Sequence, residues 1–187
     1  MVPLCGTIVL PHFMKRIFLI ALLSTVFFSF DLSKSTIKKI DKTLADLWQG
    51  KTISKKPINL SIENLKKLSF PLENDVLFKI EVDSKTSAYL ILAQGRGKMN
   101  LFDYMIVYNL DLSILKVKLL VYREEYGGEI GSDRWLKQFI GKTDPNKMKF
   151  GHDIQNISGA TISAQSINEN IKKVTKQLIE LKEKGII

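Results

Sequence analysis

Apolar positions follow a helical period at both ends of the chain and a two-residue period in the middle. Within residues 31–50, Leu32, Ile40, Leu44, Leu47 and Trp48 share one face of a helix, ringed by Lys34, Lys38, Lys39 and Lys42. Gly50 is the natural stop. Trp48 reads either as an aromatic wall for a ligand or as a core anchor, and the core anchor is the simpler reading. Residues 51–75 are mixed, with Pro57 and Pro71 interrupting any pattern and a short helix predicted over 62–68. Strands follow. Residues 76–82 alternate, 87–94 form a more apolar run, and 101–109 and 114–122 supply two more strands joined by Leu110-Asp111-Leu112-Ser113. The helical period returns with Ile167, Ile171, Val174, Leu178 and Leu181, spaced four, three, four and three. Ser166 with Glu169 fits a capping box for this helix, Ser163 is an alternative N-cap, and Gly185 is the stop. The order predicts an α+β fold: an antiparallel twisted sheet packed by N- and C-terminal helices.

Residues 1–30 read as targeting rather than fold. Met14-Lys15-Arg16 is a positive start, and the run from Ile17 to Phe30 is apolar, which is the pattern of a secretory signal with Met14 as the better initiator. No small-x-small pair precedes Asp31, so an uncleaved N-terminal membrane anchor stands as the alternative. The remainder divides into a helical part, 31–75, and a domain over 76–187. Lys15 and Arg16 are the two charged residues of the leader, so its removal takes the net charge from +9 to +7. The lysines are scattered and not interleaved with aromatics. They suggest a solvated basic surface that meets anionic lipid or an acidic partner, not a nucleic-acid groove.

Cys5 is the single cysteine, and His12 and His152 are the two histidines. A His/Cys metal cluster, a disulfide within the chain and a Cys–His nucleophilic pair in the mature part are therefore excluded. A catalyst with this inventory would take its chemistry from a cofactor. Gly95-Arg96-Gly97 lacks the third glycine and the parallel strand–helix unit of a dinucleotide loop, and reads as a turn.

One stretch stands out: Ile157-Ser158-Gly159-Ala160-Thr161-Ile162-Ser163, directly ahead of the last helix. Gly159 and Ala160 present nothing larger than a methyl beside the Thr161 hydroxyl. Free N–H groups at a helix start favour an anion there. The plainer reading is a helix cap. Ser-Gly-Ala-Thr followed by Ile-Ser resembles the flavinylation motif of the FMN-binding domain family, a family that includes subunits of membrane redox complexes. Two further segments are similar to that family. The first is Arg123-Glu124-Glu125-Tyr126-Gly127-Gly128-Glu129, close to the run of stand-alone single-domain members. The second is Gln138-Phe139-Ile140-Gly141-Lys142. The resemblance covers roughly 76–180, in the family's order.

The resemblance implies FMN as cofactor, joined through its phosphate to the hydroxyl of Thr161 by a dedicated FMN transferase. It places Gly127, with Gly128 adjacent, near the flavin and makes Glu124 a residue that fixes the loop. Ser158, Gly159, Ala160, Ile162 and Ser163 complete the cofactor-binding set, with Ser158 and Ser163 as hydrogen-bond donors to phosphate or ring edge. Tyr126 either stacks on the ring or is an ordinary half-buried aromatic. Arg123 and Arg134 either counter a phosphate or form surface ion pairs, and His152 is a solvated loop residue. One departure stands at Gln155, where the family's motif has an aspartate; Asp153 lies two residues earlier. Asn59-Leu60-Ser61 and Asn156-Ile157-Ser158 match glycosylation triplets and are read as coincidental.

The expected protein is an exported, periplasmic or membrane-tethered flavoprotein that relays electrons to a redox partner, itself membrane-bound. It is an electron carrier rather than a self-sufficient enzyme, since no nicotinamide loop or other catalytic constellation is present. The alternative, favoured by Gln155, is a cofactor-free docking domain of a membrane redox complex.

Overall fold

The computed structural model of the chain describes residues 32–69 and 76–187. The leader or anchor expected over 1–30, with Cys5 and His12, lies outside the described residues. Among those described, no helix is long and apolar enough to cross a membrane.

Helix α1 spans Lys34–Leu47, and its N-cap Ser33 accepts a hydrogen bond from the Thr36 N–H. Strand β1 (Ile53–Pro57) and the short helix α2 (Ile62–Lys66) follow. Next come β2 (Val76–Val82), β3 (Lys85–Arg96), β4 (Leu101–Asn109) and β5 (Ile114–Val121). Helix α3 covers Asp133–Leu136, and α4 runs from Thr161 to Glu183. The five strands form one sheet in chain order, every pair antiparallel.

The sequence reading missed β1, and the reason is chemical. Ile-Ser-Lys-Lys-Pro has no apolar alternation, and four of its five residues are exposed. It is an edge strand that pairs with β2 through its backbone, and an edge tolerates both lysine and proline. The other strands lie within two residues of their expected limits. Asp83 and Ser84 take the β2–β3 turn with φ of 49° and 65°, values that a tight hairpin demands and Asp tolerates.

Helices cover the sheet on its two faces. Residues 88, 90 and 92 of β3 and 105 and 107 of β4 pack with Ile40 and Leu44 of α1. The intervening Tyr89, Ile91 and Ala93, with Phe102, Tyr104, Ile106 and Tyr108, pack with α4. This explains why 87–94 read as a continuous apolar run: β3 is buried on both faces. Ile167, Ile171, Val174, Leu178 and Leu181 of α4 are all at most 1% exposed. Each such side chain contributes about 1.5–3 kcal/mol by leaving water.

Beyond the end of its pairing with β2, the edge of β3 meets α4 instead of a strand. Asn170 Nδ2 donates to the Gln94 carbonyl at 3.2 Å, and the Arg96 N–H donates to Ser166 Oγ at 2.7 Å. These bonds satisfy backbone groups that the sheet leaves unpaired.

Candidate functional site

Helix α4 begins three to six residues earlier than either expected cap. Thr161 is its first residue, Ala160 occupies the N-cap position, and no side chain caps the end. Ser163 and Ser166 cannot serve as caps because both are inside the helix with their hydroxyls engaged elsewhere. Ser166 holds β3, as above, and Ser163 is 3% exposed and bonded to Tyr122 Oη at 3.2 Å. Gly159, at φ of +79°, makes the reversal that lets the helix start so soon.

The first backbone bond of α4 runs from Ala164 N–H to the Ala160 carbonyl. The N–H groups of Thr161, Ile162 and Ser163 thus have no acceptor within the helix. No acidic side chain stands in this first turn. The Thr161 hydroxyl is at the surface beside these donors. It receives a hydrogen bond from Asn156 Nδ2 at 3.2 Å and faces the Ile157 carbonyl at 3.5 Å.

The glycine loop after β5 lies directly against this turn. Gly127 has φ of +81°, and a Cβ there would come within 2.7 Å of Ala160 Cβ and 3.1 Å of the Gly159 carbonyl. Only glycine permits that approach. Tyr122 Oη donates to the Tyr126 carbonyl at 3.0 Å. Its one proton is thereby committed, so Ser163 donates to it, and the tyrosine ties loop to helix. Tyr126 itself is 80% exposed and Ile162 53% exposed. Gly128 starts a tight turn to Gly131 with open space around it.

Glu124 is bonded to the β3–β4 turn. Its Oε1 accepts from the Met99 and Asn100 N–H groups at 2.7 and 2.8 Å, closing the β3–β4 turn. The bonds from Asn100 and then Met99 hold its carboxyl below the ordinary value. Gly97 leaves room for that carboxylate, since a Cβ there would collide with it. Gly95 and Arg96, expected in a turn, instead end β3 paired with Phe102 and Leu101, and the turn proper, 97–100, is built around Glu124 of the second glycine loop. Arg123 is paired with the buried Asp103 at 2.5 Å and with the Leu101 carbonyl at 3.0 Å, which is the ion-pair alternative of its two readings. Arg134 is exposed on α3.

Gln138-Phe139-Ile140-Gly141-Lys142 positions the approach to the motif. Gln138 Oε1 accepts the Gln155 N–H at 2.8 Å, and Trp135 Nε1 donates to the Gln155 carbonyl at 2.7 Å. Phe139 is fully buried and meets Trp135 edge-on, with ring centroids 5.5 Å apart. Gly141 and Lys142 bond the backbone of Ile114 at the head of β5. Asp153 accepts the Lys149 N–H at 2.9 Å and pairs with His152; these bonds, in that order, lower its pKa, and His152 itself is exposed.

A cleft of about 430 Å³ opens beside the helix start, lined by Arg96, Gly97, Lys98, Ile162, Gln165, Ser166 and Glu169. Among the described residues no group of acidic, cysteine and histidine side chains could hold a metal ion. Sequence reasoning missed Tyr122, Asn156, Arg96 and Lys98 here. Tyr122 read only as a strand end and Asn156 only as a chance glycosylation triplet, and no local pattern marks either.

A three-layer domain that brings a surface hydroxyl, bare helix donors and a close glycine loop together is of the class that binds an anionic cofactor. Residues 99–176 match the family model of the FMN-binding domain, and that match indicates FMN as the cofactor. The match is shorter than the resemblance: it leaves α1, β1, α2, β2 and β3 outside, with Arg96, Gly97 and Lys98 of the cleft, and holds the glycine loop and the Thr161 motif. No curated protein matches the chain.

The residues present fit the group. The bare N–H groups at Thr161–Ser163 suit a phosphate, and the apolar face of Ile162 in the open cleft suits a flat ring.

Proposed function

We propose that the protein carries its FMN covalently, through a phosphoester to Thr161, and relays electrons between redox partners. The observation that carries this reading is the Thr161 hydroxyl: exposed, at the first position of an uncapped helix, with the glycine loop packed beside it. Bound there, FMN supplies a group that takes up one or two electrons.

The chain's own residues supply position and field. Backbone N–H groups of the first turn of α4 would hold the phosphate, aided by the macrodipole of 23 helical residues. Gly127 and Gly159 keep the backbone close without side chains in the way. Tyr122 and Ser163 lock the two segments together, so the ring would meet a rigid surface. Tyr126 and Ile162 would shield the ring from water. Gln155, where the family's motif has aspartate, is held by its backbone atoms to Gln138 and Trp135.

The leader read over residues 1–30 supports a site of action outside the cytoplasm or at its membrane, loaded by an FMN transferase. A covalent bond suits that setting, where no free FMN would replace a lost cofactor. The redox partner proposed is a membrane-bound protein.

The test is spectroscopy of the chain co-expressed with an FMN transferase and purified natively. The expected protein is yellow, and its visible bands bleach on reduction and return on oxidation. A colourless, non-fluorescent protein would contradict the carrier reading and favour the cofactor-free docking domain.

A further inference from the structure

We infer that Asn156 orients the Thr161 hydroxyl for phosphoester formation, an inference that rests on the covalent reading above. Asn156 Oδ1 accepts the Ile157 N–H at 2.7 Å. A backbone N–H can only donate, so this bond fixes which end of the amide is oxygen. Nδ2 then faces Thr161 Oγ1 at 3.2 Å and can only donate to it.

Two consequences follow for the reacting oxygen. One lone pair is occupied by that donor, which restrains the side chain while it stays exposed. The hydroxyl's own proton is aimed at the Ile157 carbonyl across 3.5 Å, a long and weak bond from which it is easily lost. The turn that sets this geometry is short and closed, with the Ala160 N–H donating to the same Ile157 carbonyl at 3.1 Å. Gln155, at the position where the family motif carries aspartate, is anchored through its backbone. The side chain that reaches the threonine oxygen is the next one along.

The chemistry needs an activated donor, because a phosphate monoester has no good leaving group. With a flavin dinucleotide, Thr161 Oγ1 bonds to the FMN phosphorus and the pyrophosphate P–O bond breaks. The nucleoside monophosphate leaves with the electron pair, and the hydroxyl proton passes to water or a base of the transferase. A donor N–H on Oγ1 steadies the negative charge that develops as that proton departs.

The experiment is initial-rate flavinylation of the full chain by a purified FMN transferase with flavin adenine dinucleotide, read by intact mass. Wild type is compared with Asn156→Ala and Asn156→Asp, the latter being isosteric but unable to donate when ionised. Both variants are expected to lose about tenfold in kcat at neutral pH, with KM for the protein unchanged within about twofold. Melting temperatures should match the wild type, since the side chain is exposed. Asn156→Asp should recover toward the wild-type rate as pH falls and its carboxyl regains a proton to donate. An Asn156→Asp variant that reacts at the wild-type rate at neutral pH overturns the donor role. A loss confined to KM also overturns it, since the transferase would then be reading Asn156 directly. A wild type left unmodified by an active transferase overturns the covalent reading itself, and this inference with it.

Discussion

The two ends of α4 are built on opposite plans. At the C-terminus, Gly185 takes φ of +64°, its N–H bonds the Lys182 carbonyl at 3.0 Å, and the Ile186 N–H bonds the Leu181 carbonyl at 2.9 Å. That is a complete Schellman closure, with Ile186 returning to the core. At the N-terminus, a second glycine in the same left-handed conformation, Gly159, leads into a helix with no side-chain cap. Three hydroxyl residues stand within the first six positions, yet none closes the end. One helix thus shows that the chain can cap well and does not do so where the motif lies. Bare donors beside a surface hydroxyl are what an anionic group requires, and an ordinary cap would occupy them.

The comparison can be broken at the level of packing, loop approach and charge, in falling order of effect. Leu178, 1% exposed near the closed end, anchors α4 on the sheet. Leu178→Ala should cost about 2–5 kcal/mol in chemical denaturation, while the folded fraction remains a competent substrate for flavin attachment. Gly127→Ala should cost less, about 1–3 kcal/mol, for its positive φ and its approach to Ala160, but it should also slow attachment by separating loop from motif. Gly185→Ala at the other end meets open space, so its cost should be about 1 kcal/mol with attachment unaffected. Equal attachment rates in the two glycine variants would remove the functional distinction between the ends.

The smallest effect concerns Glu124. Its folded pKa lies below the ordinary 4.5 because the Asn100 and Met99 N–H groups favour the carboxylate. The stabilisation is therefore fully present above about pH 4.5 and is lost as pH falls through the lower folded value. Amide exchange at Met99 and Asn100 should accelerate across that window beyond the change expected from pH alone. In Glu124→Gln the acid-dependent step should vanish.

The sheet and both long helices were legible because their apolar periods are long and unambiguous. Ile167 through Leu181 read as one face and lie at most 1% exposed. Strand β1 was not legible, since an exposed edge strand is held by backbone bonds that leave no mark in Ser54-Lys55-Lys56-Pro57. The motif at Thr161 stands out in the sequence by residue type and order. Its helix start was misplaced because serine cap signals at 163 and 166 compete locally with tertiary partners, Tyr122 and Arg96, that no local window contains. Glu124 was expected near the flavin loop as a fixing residue; what it fixes is the turn at 97–100, about 25 residues upstream. The tether from Gln138 and Trp135 to Gln155 joins two segments that the sequence holds well apart.

Intact mass decides whether Thr161 is the attachment point. The full chain and Thr161→Val, which keeps the branched shape and removes the hydroxyl, are each co-expressed with an FMN transferase and weighed. The wild type should gain the mass of one FMN less one water and the variant none, with stabilities within about 1 kcal/mol of each other, because the side chain is exposed. Added flavin mass on Thr161→Val would place the bond elsewhere and contradict the account.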